Sequence, residues 1–280
     1  MGTVKERLWI WGHEAGSHNG SFGVQGPSRM TPAEAAYYLG VPNVVMVTFA
    51  GKPEPPLDLY ARALMPLKRV VWSIIGDSSS TRNDRATDLE EVIALSAQYH
   101  NIEGAIMDDF FHPPNARGAV SRVGVDDLAY FHSRLRSAPR PLDLWVVVYT
   151  HNLGLPIAQH LEHCDVITFW TWRAEDLRDL AGNFAALEAL APKNRKILGC
   201  YMWDYGAHKL MPVETMEHQC RQGLRWLQEG RIEGIIFLAS CICDLGFDAV
   251  EWTRAWIGEV GDRPLPEVPF WVPRSLGQAK

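Results

Sequence analysis

A chain of 280 residues, 47% of them hydrophobic, is long enough to bury one large core, and α/β barrels occupy this length as a single domain. Its formal net charge of -6 lacks the basic surplus that phosphate-backbone binding requires, which excludes nucleic acid as a partner. The opening MGTVKERLWIWG has no apolar core of signal-peptide length, and no later stretch approaches the ~18 continuous apolar residues of a membrane span, so a soluble, cytoplasmic protein without a membrane partner is expected.

Short apolar runs alternate with helical patterns along the whole chain. The runs that read as strands are 8–11, 43–49, 69–75, 102–107, 142–149, 166–172, 196–203 and 232–239. Between and after them, helical periodicity predicts helices over 31–39, 57–67, 88–99, 126–137, 157–163, 174–190, 213–229 and 247–257. The first helix start is well signed, with Thr31 as N-cap, Pro32 at N1 and Glu34 at N3. Strict βα alternation with right-handed crossovers predicts an α/β fold closed as a (βα)8 TIM barrel. No Gly-rich phosphate loop follows any of these strands, which removes the main signature of an open dinucleotide-binding sheet. The expected organisation is one barrel domain over 1–260 and an extended tail over 261–280, carrying Phe270 and Trp271, packed on the outside of the barrel.

The fourth and eighth predicted strands share an echo: Ile102-Glu103-Gly104-Ala105-Ile106 against Ile232-Glu233-Gly234-Ile235-Ile236. Duplication of a half-barrel would set them opposite one another, although a common strand-entry pattern produces the same letters. Only the fourth run continues into acid, Asp108-Asp109. The long irregular stretches 12–30 and 110–125 both fall after strands, on the face where barrels keep their chemistry. The five cysteines (Cys164, Cys200, Cys220, Cys241, Cys243) are odd in number and lack CxxC spacing, so they read as reduced and structural. No metal or other cofactor is expected, since the His13-x4-His18 spacing is not one of the zinc patterns.

The groups expected at the C-terminal strand ends come from many strands. Asp108, Asp109 and Asp204 are the candidate catalytic residues. The candidate substrate contacts are His13, Glu14, His18, Asp77, Tyr149, His151, Trp170, Trp172 and Trp203. Carboxylates can protonate a glycosidic oxygen and stabilise an oxocarbenium-like transition state, while indole faces stack on sugar rings, so a small carbohydrate is the expected partner. Consecutive strand residues point to opposite faces, so one of Asp108 and Asp109 must be turned by the start of the loop. Two carboxyls this close in a dry pocket push their pKa values apart, one protonated and one ionised. Asp204 is either the partner acid of an inverting pair or a turn acid before Gly206.

The segment Ala105-Ile106-Met107-Asp108-Asp109-Phe110 resembles the strand-four Asp-Asp motif of the O-GlcNAcase-type retaining β-N-acetylhexosaminidases, which are (βα)8 barrels. Phe169-Trp170-Thr171 and Met202-Trp203-Asp204-Tyr205 are similar to two later segments of that family, with Trp172 standing where the family has glycine. The resemblance implies that Asp108 orients the acetamido group of the substrate, which acts as nucleophile, and that Asp109 is the general acid. Chitinase-like barrels are similar only at Asp108, with Phe110 at the position of their catalytic glutamate. The reading is therefore a glycoside hydrolase of unassigned family. Two alternatives stand beside it: a divalent-metal sugar isomerase or lyase using Glu14, Asp108, Asp109, His112 and His151, and a carbohydrate-binding barrel without catalysis.

Overall fold

The computed structural model describes residues 2–80 and 87–266. Eight parallel strands close a barrel: β1 (Leu8–Gly12), β2 (Asn43–Met46), β3 (Arg69–Ile75), β4 (Ile102–Met107), β5 (Asp143–Tyr149), β6 (Val166–Trp170), β7 (Arg195–Tyr201) and β10 (Gly234–Leu238). Each pairs with its neighbour in chain order, and β10 returns to β1 through the register Leu8 to Ile235 and Trp11 to Leu238. The helices that cover them are α1 (Pro32–Leu39), α2 (Asp58–Ala63), α3 (Thr87–Gln98), α4 (Val125–Arg136), α5 (Ala158–Leu161), α6 (Leu180–Leu190), α7 (Val213–Gln228) and α8 (Asp248–Val260). The predicted (βα)8 barrel is the fold of this chain. At the start of α1 the expected capping box is present, with the Glu34 N–H donating to Thr31 Oγ1 (3.3 Å) and the Thr31 N–H to Glu34 Oε2 (2.8 Å).

The boundaries of β3 and β4 agree with the expected runs residue for residue, because both runs are buried on both sides. Other elements are shorter than expected: the strands expected over 43–49, 166–172 and 232–239 are β2, β6 and β10, and the helices expected over 57–67 and 157–163 are α2 and α5. The strand expected over 196–203 ends at Tyr201, and Trp203–Asp204 forms β8, antiparallel to β9 (Lys209–Leu210). The helix expected over 174–190 begins as a 3-10 turn, Ala174–Asp179, before α6.

The echo between β4 and β10 corresponds to matched surroundings on opposite sides of the barrel. Glu103 pairs with Arg69 of the preceding strand (2.6 Å), and Glu233 with Arg195 of its preceding strand (3.4 Å). A Cβ on Gly104 would meet Trp145 of the following strand at 3.2 Å, and one on Gly234 would meet Trp9 of the following strand at 3.1 Å. Trp9 and Trp145 then touch edge to face inside the barrel (ring centroids 5.2 Å). The glycines leave room for an indole that fills the barrel centre, and that explains why the same letters recur half a turn apart.

One layer higher, Trp11 and Trp170 repeat the edge contact (5.1 Å). Residues 9 and 11 share a face of β1, so both indoles point inward. The upper pair closes the top of the packed interior. At the bottom, residues 261–265 run beside the N-terminal segment, with Val4 N–H donating to Arg263 O (3.0 Å) and Leu265 N–H to Gly2 O (2.9 Å). The rest of the expected tail, 267–280 with Phe270 and Trp271, lies outside the described residues.

Candidate functional site

Strand β4 ends where the Asp108 N–H donates to Ile75 O of β3 (2.8 Å). Asp109 then takes φ +42°, a left-handed conformation that a residue with a Cβ seldom adopts and that costs roughly 1–3 kcal/mol where it is imposed. That single turn breaks the alternation of a straight strand and directs both carboxyls to the same cavity. Asp108 caps the turn itself, since its Oδ1 accepts from the Asp109 N–H (2.8 Å). Asp109 is held from both sides: Oδ1 accepts from the Tyr149 hydroxyl of β5 (2.8 Å) and Oδ2 from the Ser78 N–H after β3 (2.9 Å).

The cavity these carboxyls face has a volume of about 400 Å³. Of the residues expected from sequence, His13, His18, Asp77, Asp108, Asp109, Tyr149, His151, Trp170 and Trp172 line it. Three others do not. Asp204 turns away and caps its own hairpin, accepting from the Ala207 N–H (3.1 Å) while only 2% exposed. Trp203 stacks on Phe247 (4.9 Å) and donates through Nε1 to Phe22 O (3.0 Å). Glu14 accepts from the Tyr60 hydroxyl (2.7 Å), outside the lining. The chain bends after Tyr201, where the Met202 N–H donates to Leu238 O, and this bend puts Tyr201 and Tyr205 on the wall in place of Trp203 and Asp204.

The wall also contains Trp11, Phe22, Phe49 and Phe111, which sequence reasoning did not single out. Trp11 carried a legible signal, two residues after Trp9 at the mouth end of β1. Phe49 ends the strand expected over 43–49 and lies in the structure on the loop after β2, against His18; Phe22 carried no signal, because it lies on a loop whose path depends on contact with Tyr205. Asp77 is on the wall, but both its oxygens are engaged, Oδ1 by the Ala50 N–H (2.8 Å) and Oδ2 by the backbone N–H and hydroxyl of Ser79.

Burial sets the protonation of the deepest groups. Asp108, 6% exposed, is pushed well above the usual carboxylate range, first by loss of hydration and then by the neighbouring Asp109. His13 falls well below the ordinary imidazole value through burial and the proximity of His18, and burial lowers His18 to about 4. Both rings are therefore neutral at pH 7. The Tyr149, Tyr201 and Tyr205 hydroxyls are driven well above 10 by burial and stay protonated.

His13, His18 and Cys241 bring three donor atoms within 4.8 Å of one another, a set chemically suited to zinc or another soft ion. The hydrogen bonds around them favour a different use. Trp11 Nε1–H donates to His13 Nε2 (3.2 Å), which places the proton of the neutral ring on Nδ1, the nitrogen facing Cys241 Sγ (3.8 Å). A metal on Nδ1 would need that proton removed and the Trp11 bond broken. Burial also raises the Cys241 thiol to about 12. Tyr205 and His18 Nδ1, 3.0 Å apart, complete a buried polar network that supports the cavity wall.

No protein-family model matches the sequence, and no curated protein sequence matches it. Solved structures do share the fold. An α-L-fucosidase-like protein from Bacteroides thetaiotaomicron aligns with 91% of this chain and 95% of its own, at a TM-score of 0.58 and 12% identity. A family 5 glycoside hydrolase from Prevotella bryantii aligns over 92% and 96% at a TM-score of 0.51 and 14% identity, and a chitinase domain from Pyrococcus furiosus over 85% of each chain at 0.52 and 13%. At such identities the likeness is one of fold: the chain is similar to glycoside hydrolases built on an eight-stranded parallel barrel, with no family assigned.

Proposed function

We propose that this barrel hydrolyses glycosides of a small carbohydrate at the cavity around Asp108 and Asp109. The observation that carries the reading is the pair itself: two adjacent carboxyls turned into one aromatic-walled cavity, the first desolvated and the second held by two hydrogen bonds. A carboxyl that stays protonated at neutral pH can deliver a proton to a glycosidic oxygen. We assign that role to Asp108, which reverses the division of labour implied by the resemblance to β-N-acetylhexosaminidases. As the C–O bond breaks, its electrons remain on the departing oxygen, which takes the Asp108 proton. Asp109 faces the positive charge that grows on the sugar.

With Asp204 turned away, the described lining contains no carboxyl from a strand across the barrel. Attack on the anomeric carbon then falls to Asp109 or to an acetamido group of the substrate. Both routes pass through a covalent intermediate that water opens while Asp108 recovers its proton, so retention of configuration is expected. The indoles of Trp170 and Trp172 supply flat faces for the ring. Five buried thiols without disulfides support a reducing, cytoplasmic setting, and no described helix is long and apolar enough to cross a membrane.

The test is an aryl-glycoside panel with wild type, Asp108→Asn and Asp109→Asn, with product configuration followed by proton NMR. Each variant should lose about 10²-fold or more in kcat/KM. Hydrolysis of no member of the panel by wild type, or full activity in both variants, rejects the reading. Stoichiometric bound metal with chelator-sensitive turnover would move the protein to the isomerase or lyase class.

A further inference from the structure

The charge on the cavity wall is one-sided. Its described lining holds no lysine or arginine, and two aspartates, Asp77 and Asp109, besides the Asp108 whose burial favours the protonated form. Of the four histidines on the wall, His13, His18, His112 and His151, burial keeps the first two neutral and lowers His151, so these three do not offset the acids. Arg122 lies outside that lining; its Nη2 donates to the main-chain carbonyl of Asp77 (2.8 Å), and its charge acts on Asp108 from there.

Aromatic faces surround these acids. The described cation–π pairs, among them Arg69 on Trp9 and Arg231 on Trp226, involve rings elsewhere in the molecule and leave the cavity rings to a ligand. A positive ligand in such a cavity is attracted twice, by the carboxylate charge and by the negative faces of the rings. Asp77 accepts three hydrogen bonds and Asp109 two, one on each oxygen, so Asp109 keeps the greater free acceptor capacity to meet such a ligand directly.

We propose that the cavity selects an amine-bearing sugar, one whose ring carries a protonated amino group, over the corresponding N-acetyl, hydroxyl and carboxylate sugars. The inference rests on the reading of this mouth as a sugar site. It departs from the acetamido specificity that the sequence resemblance implies, because acetylation removes the charge the wall would recognise.

An ammonium group beside the anomeric carbon slows bond breaking by its inductive pull, so binding is the appropriate readout. Isothermal titration calorimetry at pH 7 on the full chain would compare the methyl β-glycosides of glucosamine, N-acetylglucosamine, glucose and glucuronic acid. The glucosaminide should bind at least about tenfold more tightly than the two neutral sugars, and the glucuronide weakest of all. Ser78 is exposed at the rim, so Ser78→Lys adds a cation to the wall without disturbing the core, and should bring the glucosaminide and the glucoside to near parity. Equal or weaker binding of the glucosaminide, tighter binding of the glucuronide, or an unchanged preference in Ser78→Lys overturns the inference. Turnover of the aryl-glycoside panel is scored separately. An amine preference without hydrolysis rejects the hydrolase and keeps the selectivity, while hydrolysis without an amine preference does the reverse.

Discussion

Gly199, in the middle of β7, links the barrel interior to the cavity, and its substitution by alanine tests that link. A Cβ built there would lie 2.1 Å from Cδ2 and Cε3 of Trp170 and 2.4 Å from Cε2. Carbon atoms in contact prefer about 3.5–4.0 Å, so the indole would have to retreat by roughly 1.5 Å. It has little room to do so. Trp170 is 1% exposed, its Nε1 donates to Thr168 Oγ1 (2.9 Å), and the rings of Trp11 and Tyr201 stand at 5.1 and 5.0 Å. Overpacking against so constrained a neighbour belongs at the upper end of its usual cost, about 3 kcal/mol. For a domain of this size that corresponds to a Tm lower by about 6–12 °C. The indole also lines the cavity, so ligand affinity should fall with stability. Gly182 in α6 is the control, since a Cβ there meets nothing within 4 Å, and Gly182→Ala should stabilise by about 0.5–1 kcal/mol through helix propensity alone. Scanning calorimetry of the two variants decides the matter. A Gly199→Ala protein that melts within about 2 °C of wild type would refute the claim that this glycine makes room for the cavity floor.

Two pH effects of opposite sign follow from buried groups. Glu233 is raised to about 7 because burial outweighs the attraction of Arg195, Arg7 and Arg69. A carboxyl whose pKa rises on folding contributes stability that is complete below its ordinary value of 4.5 and is lost as pH rises through about 7, about 3 kcal/mol in all. Urea titrations of wild type and Glu233→Gln between pH 4.5 and 8 should show this slope vanish in the variant, and an unchanged slope would remove Glu233 as its source. His18 behaves the other way: lowered from 6.5 to about 4, it contributes stability present above pH 6.5 and lost as pH falls through 4. Imidazole nitrogen shifts should show His18 unprotonated at pH 5.5, where an ordinary histidine is mostly charged, and a midpoint near 6.5 would contradict the buried, neutral ring.

Much of the architecture was legible because barrel strands buried on both sides write themselves as continuous apolar runs. The ends of β3 and β4 could be read to the residue for that reason. The Asp108-Asp109 pair stood out because a buried run ended in two charges. Trp203, Asp204 and Glu14 were misplaced for a common reason. Each lies just beyond a barrel-strand end, where the chain leaves the periodic pattern: remote partners hold two of them, Phe22 O the Trp203 indole and the Tyr60 hydroxyl Glu14, while Asp204 is turned into the local β8–β9 hairpin.

The sequence by itself determined the alternation of strand and helix, the closure of the barrel and the strand end that carries the acids, since these follow from local periodicity and burial. The tertiary structure decided which side chains share the cavity. It turned Asp109 through a left-handed residue so that both carboxyls face the same space, and it buried Asp108 enough to favour its protonated form. It also left the wall without a lysine or arginine among its described residues. Those properties arise from loops that meet across the mouth of the barrel, where the energies of contact and desolvation depend on residues brought together only by folding.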